Sequence, residues 1–197
     1  MLQRSMIATP PRSFAMNDVS PLPAAEGFLP YALETLSDGR QVLIRPMNPG
    51  DADAERTFIA ALSPRARRYR FQEQFTVPDE ALVNRLVDVD HVNDEAFVAL
   101  DGEDDDARIV GVSRYAVGND PRQCEIAVTV LDDWQGHGLG TTLMRRLIEA
   151  ARERGIRTLV SLDFAENQEM AHLAHHLGFV TSADPDDRTQ VVHTLTL

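Results

Sequence analysis

The chain has 197 residues, enough for one domain with a sizeable core or for one domain plus a tail, and its 19 Lys and Arg against 31 Asp and Glu leave a formal net charge of −12. That balance argues against nucleic-acid binding, which needs a basic footprint, and suits the attraction of a cationic partner. No stretch approaches the ~18 apolar residues of a membrane span and no apolar signal core opens the chain. Cys124 is the single cysteine, so an internal disulfide is excluded, and a reducing, cytoplasmic setting without membrane association is expected.

Residues 1–30 carry prolines at 10, 11, 21, 23 and 30 with no sustained period and read as a flexible extension. Gln41-Val42-Leu43-Ile44-Arg45 alternates as a strand closed by Pro46 and Pro49. A helix is expected over 51–62. A second follows with Ser63 as N-cap and Pro64 at its first position, and its Arg65, Arg67, Arg68 and Arg70 read as a solvated face. A third starts near Asp79 and places Leu82, Val83, Leu86 and Val87 at helical spacing. Strands are expected over 96–100, 108–117 and 123–131, the first two joined by an acidic turn at 101–106 that reads as a solvated hairpin. Next come a helix to about Arg154 stopped by Gly155, a strand over 157–162, a helix over 168–177, and two strands near 179–183 and 189–197. The order β-α-α-α-β-β-β-α-β-α-β-β predicts a mixed α/β fold, a sheet with helices on both faces.

The segment Asp132-Asp133-Trp134-Gln135-Gly136-His137-Gly138-Leu139-Gly140-Thr141 lies between an apolar run at 126–131 and an amphipathic run at 143–151. It is therefore a strand-to-helix turn with glycines at alternate positions. Such a turn receives phosphate, because glycines let the backbone approach closely and a helix N-terminus offers free N–H donors and a positive dipole end. No Gly-Lys-Ser/Thr ends it as a P-loop would, and its G-x-G-x-G spacing, late in the chain, is not a dinucleotide fingerprint.

The pattern Gln135-x-x-Gly138-x-Gly140 instead resembles the pyrophosphate loop of the GNAT superfamily of acyl-CoA-dependent N-acyltransferases. Its flanks strengthen the likeness: an alternating strand at 125–130 before it, and Glu166-Asn167-Gln168 and Leu177-Gly178-Phe179 after it. The resemblance covers roughly residues 40–197 and is greatest to the catalytic domain of bacterial Pat-type protein lysine acetyltransferases. It implies the GNAT fold, a central mixed, mostly antiparallel sheet with one splayed parallel strand pair. It also implies acetyl-CoA as co-substrate, no metal, and direct transfer to an amine in a ternary complex. The Pat likeness favours a protein lysine as acceptor, such as the active-site lysine of an acyl-CoA synthetase. A small-molecule amine acetyltransferase and a non-catalytic acyl-CoA-binding module are the alternatives.

Acyl transfer from a thioester to an amine needs a base for the ammonium, donors for the oxyanion, and a proton for the leaving thiolate. Glu125 opens the strand leading to the loop and is the expected base; the alternative is an ion pair with Arg114 across the hairpin. The resemblance assigns the backbone of Val128, Thr129 and Val130 to the pantetheine arm and the oxyanion. It assigns Gln135, Gly136, His137 (main chain only), Gly138, Leu139, Gly140 and Thr141 to the pyrophosphate. Asn167 is either a pantetheine ligand or a helix N-cap. Many relatives place a thiolate-protonating tyrosine where this chain has Ala174, so that role is unassigned. Cys124 alternates to the face opposite Glu125 and reads as a core residue rather than a nucleophile. His172, His175 and His176 read as an exposed helix face rather than a metal site, and Trp134 as a packing residue.

Overall fold

Two apolar runs decide the architecture. The strand over Asp94–Asp101 and the strand over Arg108–Val117 are buried at nearly every position, not at alternate ones, so both faces of the sheet centre must be covered. The computed structural model describes residues 31–72, 77–102 and 106–197; the expected extension at 1–30 and the middle of the acidic turn lie outside them. The described strands are β1 (Ala32–Thr35), β2 (Gln41–Pro46), β3 (Asp94–Asp101), β4 (Arg108–Val117), β5 (Gln123–Val130), β6 (Thr158–Phe164), β7 (Val180–Ala183) and β8 (Gln190–Thr196). The helices are α1 (Ala52–Ala61), α2 (Pro64–Phe71), α3 (Glu80–Val87), α4 (Leu139–Glu153) and α5 (Gln168–His176).

The strands form one eight-stranded sheet in the order β1-β2-β3-β4-β5-β6-β8-β7. Every neighbouring pair is antiparallel except β5 and β6, which α4 connects. That parallel pair is short: Gln123, Cys124 and Glu125 oppose Thr158, Leu159 and Val160, and pairing then stops although both strands continue. The expected mixed, mostly antiparallel sheet with a splayed parallel pair is present.

Register assigns the two faces. A Cβ added to Gly111 of β4 would fall 2.9 Å from Leu143 Cδ1, and Ser113 Oγ donates to the Leu143 carbonyl at 3.3 Å, so these positions face α4. Next to Ser113 in alternation, Arg114 points the other way and donates to the Leu86 carbonyl on α3 at 2.8 Å. On β5, Ile126 opposes Tyr115 and Val128 opposes Ser113, which puts both on the α4 face together with Cys124. Glu125 and Ala127 oppose Ala116 and Arg114 and therefore share the face covered by α1, α2 and α3. Leu173 of α5 lies beside the start of α4, 3.6 Å from where a Gly140 Cβ would stand.

Local chemistry sets the helix ends. Ser63 Oγ accepts the Ala66 N–H with Pro64 behind it, and Asp79 accepts the Leu82 N–H, so α2 and α3 start where their caps require. A 3-10 turn over Pro49–Asp51, closed by a reciprocal Asn48 and Asp51 cap, delays α1 to Ala52, and β6 runs on to Phe164. The sequence pattern misses β1 altogether. It is a four-residue edge strand with Leu33 66% exposed, too short and too wet to carry a hydrophobic period.

Candidate active site

Where β5 and β6 part, a cleft of about 560 Å³ opens, walled by both strands, by α2 on one side, and by the glycine loop and α5 on the other. Unpaired strand edges are ordinarily a liability, so a sheet that opens in its middle invites a ligand to act as the missing strand. Glu125, Val128, Thr129 and Val130 all line it, as do Gln135, Gly136, Gly138, Gly140, Thr141 and Asn167. His137 and Leu139 do not.

The loop has the form of an anion cradle. Gly136 and Gly138 adopt φ of +77° and +90°, and a Cβ at either would meet nothing within 4 Å, so the backbone is open where a phosphate would approach. Gly138 is the N-cap of α4 and supplies no side chain to it. By helix geometry the N–H groups of Leu139, Gly140 and Thr141 have no acceptor within the helix and carry its positive dipole end. The loop is held from behind. Ser37 donates its N–H and Oγ to the His137 carbonyl at 3.2 and 3.1 Å, and the His137 ring sits 3.1 Å from Asp38. Arg40 stacks 3.9 Å over the buried Trp134 ring. The His137 side chain is thus turned to the β1–β2 turn and Leu139 is in the core, so either can serve the cleft only through its main chain. Gln135 donates Nε2 to the Val130 carbonyl at 3.0 Å, tying the loop to the end of β5.

On the other wall, Glu125 lines the cleft from the α2 face. Arg114 donates to the Leu86 carbonyl on α3, and the Glu125 charge acts on the guanidinium of Arg70 of α2. Burial pulls Arg70 down to about 10, aided by neighbouring Arg114 and opposed by the carboxylates of Glu55, Glu125 and Asp163. The solvated arginine face holds for Arg65 and Arg68, whose exposed guanidinia pair with Glu169 at 2.7 Å and Glu166 at 2.6 Å. Arg70 departs from it and lines the cleft. Thr129 Oγ1 is buried in the same wall with no hydrogen-bond partner among the described protein groups, which leaves a polar atom for a ligand to satisfy.

Asn167 is a helix N-cap, its Oδ1 accepting the Met170 N–H at 3.2 Å, and the residue also borders the cleft. Ala174 is buried in the core and does not reach the cleft. Cys124 is buried on the α4 face, its thiol pushed up to about 12 by burial and the nearby Glu125 charge, which makes it a poor nucleophile. His172, His175 and His176 are exposed, and no metal-binding cluster of three acidic, histidine or cysteine residues occurs among the described residues. Sequence reasoning missed Asp163, a second carboxylate in the cleft, whose only signal was an acidic residue inside an apolar strand.

An open glycine turn ahead of an uncapped helix, a parted parallel strand pair, and an orphaned hydroxyl beside them together fit an acyl-CoA. The model of the Acetyltransferase (GNAT) family matches residues 59–179. The chain belongs to the GNAT acetyltransferase family. Acetyltransferase PA5475 of Pseudomonas aeruginosa is 49% identical to it over 165 residues, covering 84% of this chain and 89% of that protein. Acetyltransferase Pat of Mycolicibacterium smegmatis is 30% identical over 143 residues; the match takes in 72% of this chain but 42% of Pat, so the likeness is to one part of that longer protein. The GNAT domain of S. lividans PAT superposes with a TM-score of 0.77 at 23% identity, over 85% of this chain and 97% of that domain, and shares the fold. As a GNAT acetyltransferase, the chain uses acetyl-CoA and an amine acceptor.

Proposed function

We propose that this GNAT protein transfers acetyl directly from acetyl-CoA to the side-chain amine of a protein lysine, with Glu125 as general base. The observation that carries the reading is that one cleft joins the glycine cradle to a carboxylate on the opposite wall. The cradle amides of 136–141 hold the pyrophosphate. The pantetheine arm runs along the free edge of β5 at Val128, Thr129 and Val130, and Asn167 borders it from the start of α5. The thioester then reaches the parting of the strands, with the acceptor entering from the α2 side. Glu125 takes a proton from the ammonium, whose free pKa is ~10.4. The nitrogen attacks the thioester carbonyl, main-chain N–H groups of the β5 edge meet the oxyanion, and the C–S bond breaks.

No acyl-enzyme is needed in this route, and Cys124 faces away from Glu125 into the core under α4. The lysine acceptor is supported by the likeness to Pat and by an acidic chain suited to a cationic side chain, with an acyl-CoA synthetase as the first protein to try. The test is Glu125→Gln. It should lower kcat by about 10²–10⁴-fold, the usual yield of general-base catalysis, and leave the calorimetric Kd for acetyl-CoA unchanged within a few-fold. Activity within a few-fold of wild type at neutral pH would move the base elsewhere. Tight acetyl-CoA binding with no turnover on any amine would replace an enzyme with a binding module.

A further inference from the structure

Direct transfer leaves the departing CoA thiolate without a proton source, because Ala174 stands at the usual tyrosine position and is buried away from the cleft. We infer that Asp163 of β6 is the general acid that protonates this sulfur, working opposite Glu125 across the parted strands. The inference rests on the proposed function above and adds a second catalytic residue to it.

The sheet register separates the two carboxylates by face. Val160 pairs with Glu125 and shares its face, so Ser161 and Asp163 alternate with Cys124 onto the α4 side. Phe164, the next residue, swings back: Arg68 of α2 stacks 4.5 Å over its ring, and Tyr69 lies 5.9 Å away. Both carboxylates line one cleft, Glu125 from the α2 wall and Asp163 from the wall it shares with the glycine loop, α4 and α5. The cradle delivers the thiol end of the cofactor along that second wall, and α2 flanks the side left for the amine. The base therefore stands on the acceptor side and the acid on the leaving-group side.

The surroundings of Asp163 suit a carboxyl that carries a proton. Ser161 Oγ lies 2.6 Å from its Oδ2, and the polar Asn167 side chain at the start of α5 pulls its carboxyl down as well. The titratable groups facing it are His193 from β8, whose imidazole burial pushes below its usual range, and Arg70 from α2. Burial pushes the Asp163 carboxyl above the usual range against the opposing pull of those four partners. Polar side chains continue behind it toward β7. Ser161 opposes His193 on β8, and His193 opposes Thr181 on β7. The His193 ring is fully buried, shares a 2.8 Å hydrogen bond with Thr181 Oγ1 through Nδ1, and leaves Nε2 without a hydrogen-bond partner among the described groups. Thr181 is exposed on the outer strand, so a line of polar side chains runs from the cleft to solvent.

The atoms balance. Two protons leave nitrogen by way of Glu125, one before attack and one once the C–N bond has formed. The C–S electron pair goes to sulfur, which takes the Asp163 proton to become the thiol. Asp163 regains a proton from solvent, and one proton is released per turnover.

The experiment compares full-length wild type, Asp163→Asn, Glu125→Gln and Tyr69→Phe across a pH series with acetyl-CoA and a lysine acceptor. Asp163→Asn should lower kcat by about 10²-fold or more, keep KM and calorimetric Kd for acetyl-CoA within a few-fold, and lose the falling basic limb of kcat seen in the wild type. Asp163→Glu should restore part of kcat together with that limb. The inference falls if Asp163→Asn keeps kcat within a few-fold, if it loses rate but keeps the basic limb, or if Tyr69→Phe removes that limb instead. A dead Glu125→Gln beside an active Asp163→Asn overturns only the acid assignment, whereas a wild type that turns over no amine removes the proposed function along with it.

Discussion

Glu55 of α1 is 3% exposed, and its Oε2 lacks a hydrogen-bond partner among the described groups. Burial pushes its carboxyl up to about 7, a rise that the nearby Arg114 and Arg70 charges only partly oppose. The sign of the consequence is fixed by linkage. The folded state keeps a proton that the unfolded chain releases near pH 4.5, so Glu55 makes stability fall as pH rises from there through about 7. Above that window the deficit is on the order of 3 kcal/mol. Glu55→Gln should therefore gain on wild type between pH 5 and pH 8, read as a widening difference in denaturation midpoint. A variant that loses ground over that range would show that Arg70 and Arg114 hold Glu55 ionised. These arginines also explain what could be read from residues alone. Glu125 was legible because strand alternation beside a glycine turn aims it into the site. Arg70 was not, because four arginines in the eight-residue α2 give no period that singles it out. Asp163 was hidden because its place in the cleft depends on β5 and β6 pairing for three residues and then separating, a long-range event with no local pattern.

At the scale of elements, α4 ends in two glycines of the same backbone class and opposite meaning. Gly138 at its N-terminus has φ +90° and Gly155 beyond its C-terminus has φ +75°, and a Cβ at either would meet nothing within 4 Å. Any side chain at either site strains the backbone by ~1–3 kcal/mol, but only at Gly138 does it also project into the cradle. Acetyl-CoA should raise the melting temperature of the wild type by mass action. Gly138→Val should lower the unliganded midpoint by several degrees and abolish that rise. Gly155→Ala should lower the midpoint similarly and keep the rise in full. Equal loss of the rise in both variants would mean that strain in α4, not the cradle, governs binding. The elements legible in sequence are those with local punctuation: Ser63-Pro64 ahead of α2, Asp79 ahead of α3, Gly155 behind α4. β1 had none, because its stability comes from pairing with β2 and from the loop contacts of Ser37 and Asp38.

At the scale of the molecule, the formal charge of −12 and the position of the cleft bear on which amine arrives. Beside the cleft, α2 is tied to α5 and the loop ahead of it by the Arg65–Glu169 and Arg68–Glu166 pairs, whose members are all more than two-fifths exposed. Exposed pairs of this kind contribute roughly 0–1 kcal/mol, so they neutralise two arginines at the rim without locking α2 in place. Over longer range, a formal charge of −12 attracts a cation to the molecule. For a lysine on a large acceptor, this attraction acts on encounter, so kcat/KM should fall as ionic strength passes ~0.1 M, where the Debye length is about 10 Å. The value of kcat at saturation should change little. The measurement sets an acyl-CoA synthetase against free lysine, polyamines and aminoglycosides over a salt series. The lysine-protein reading stands if the protein gives the highest kcat/KM and the expected salt slope. If a free amine is used orders of magnitude better than any protein lysine, steering is incidental and this GNAT enzyme acetylates a small molecule.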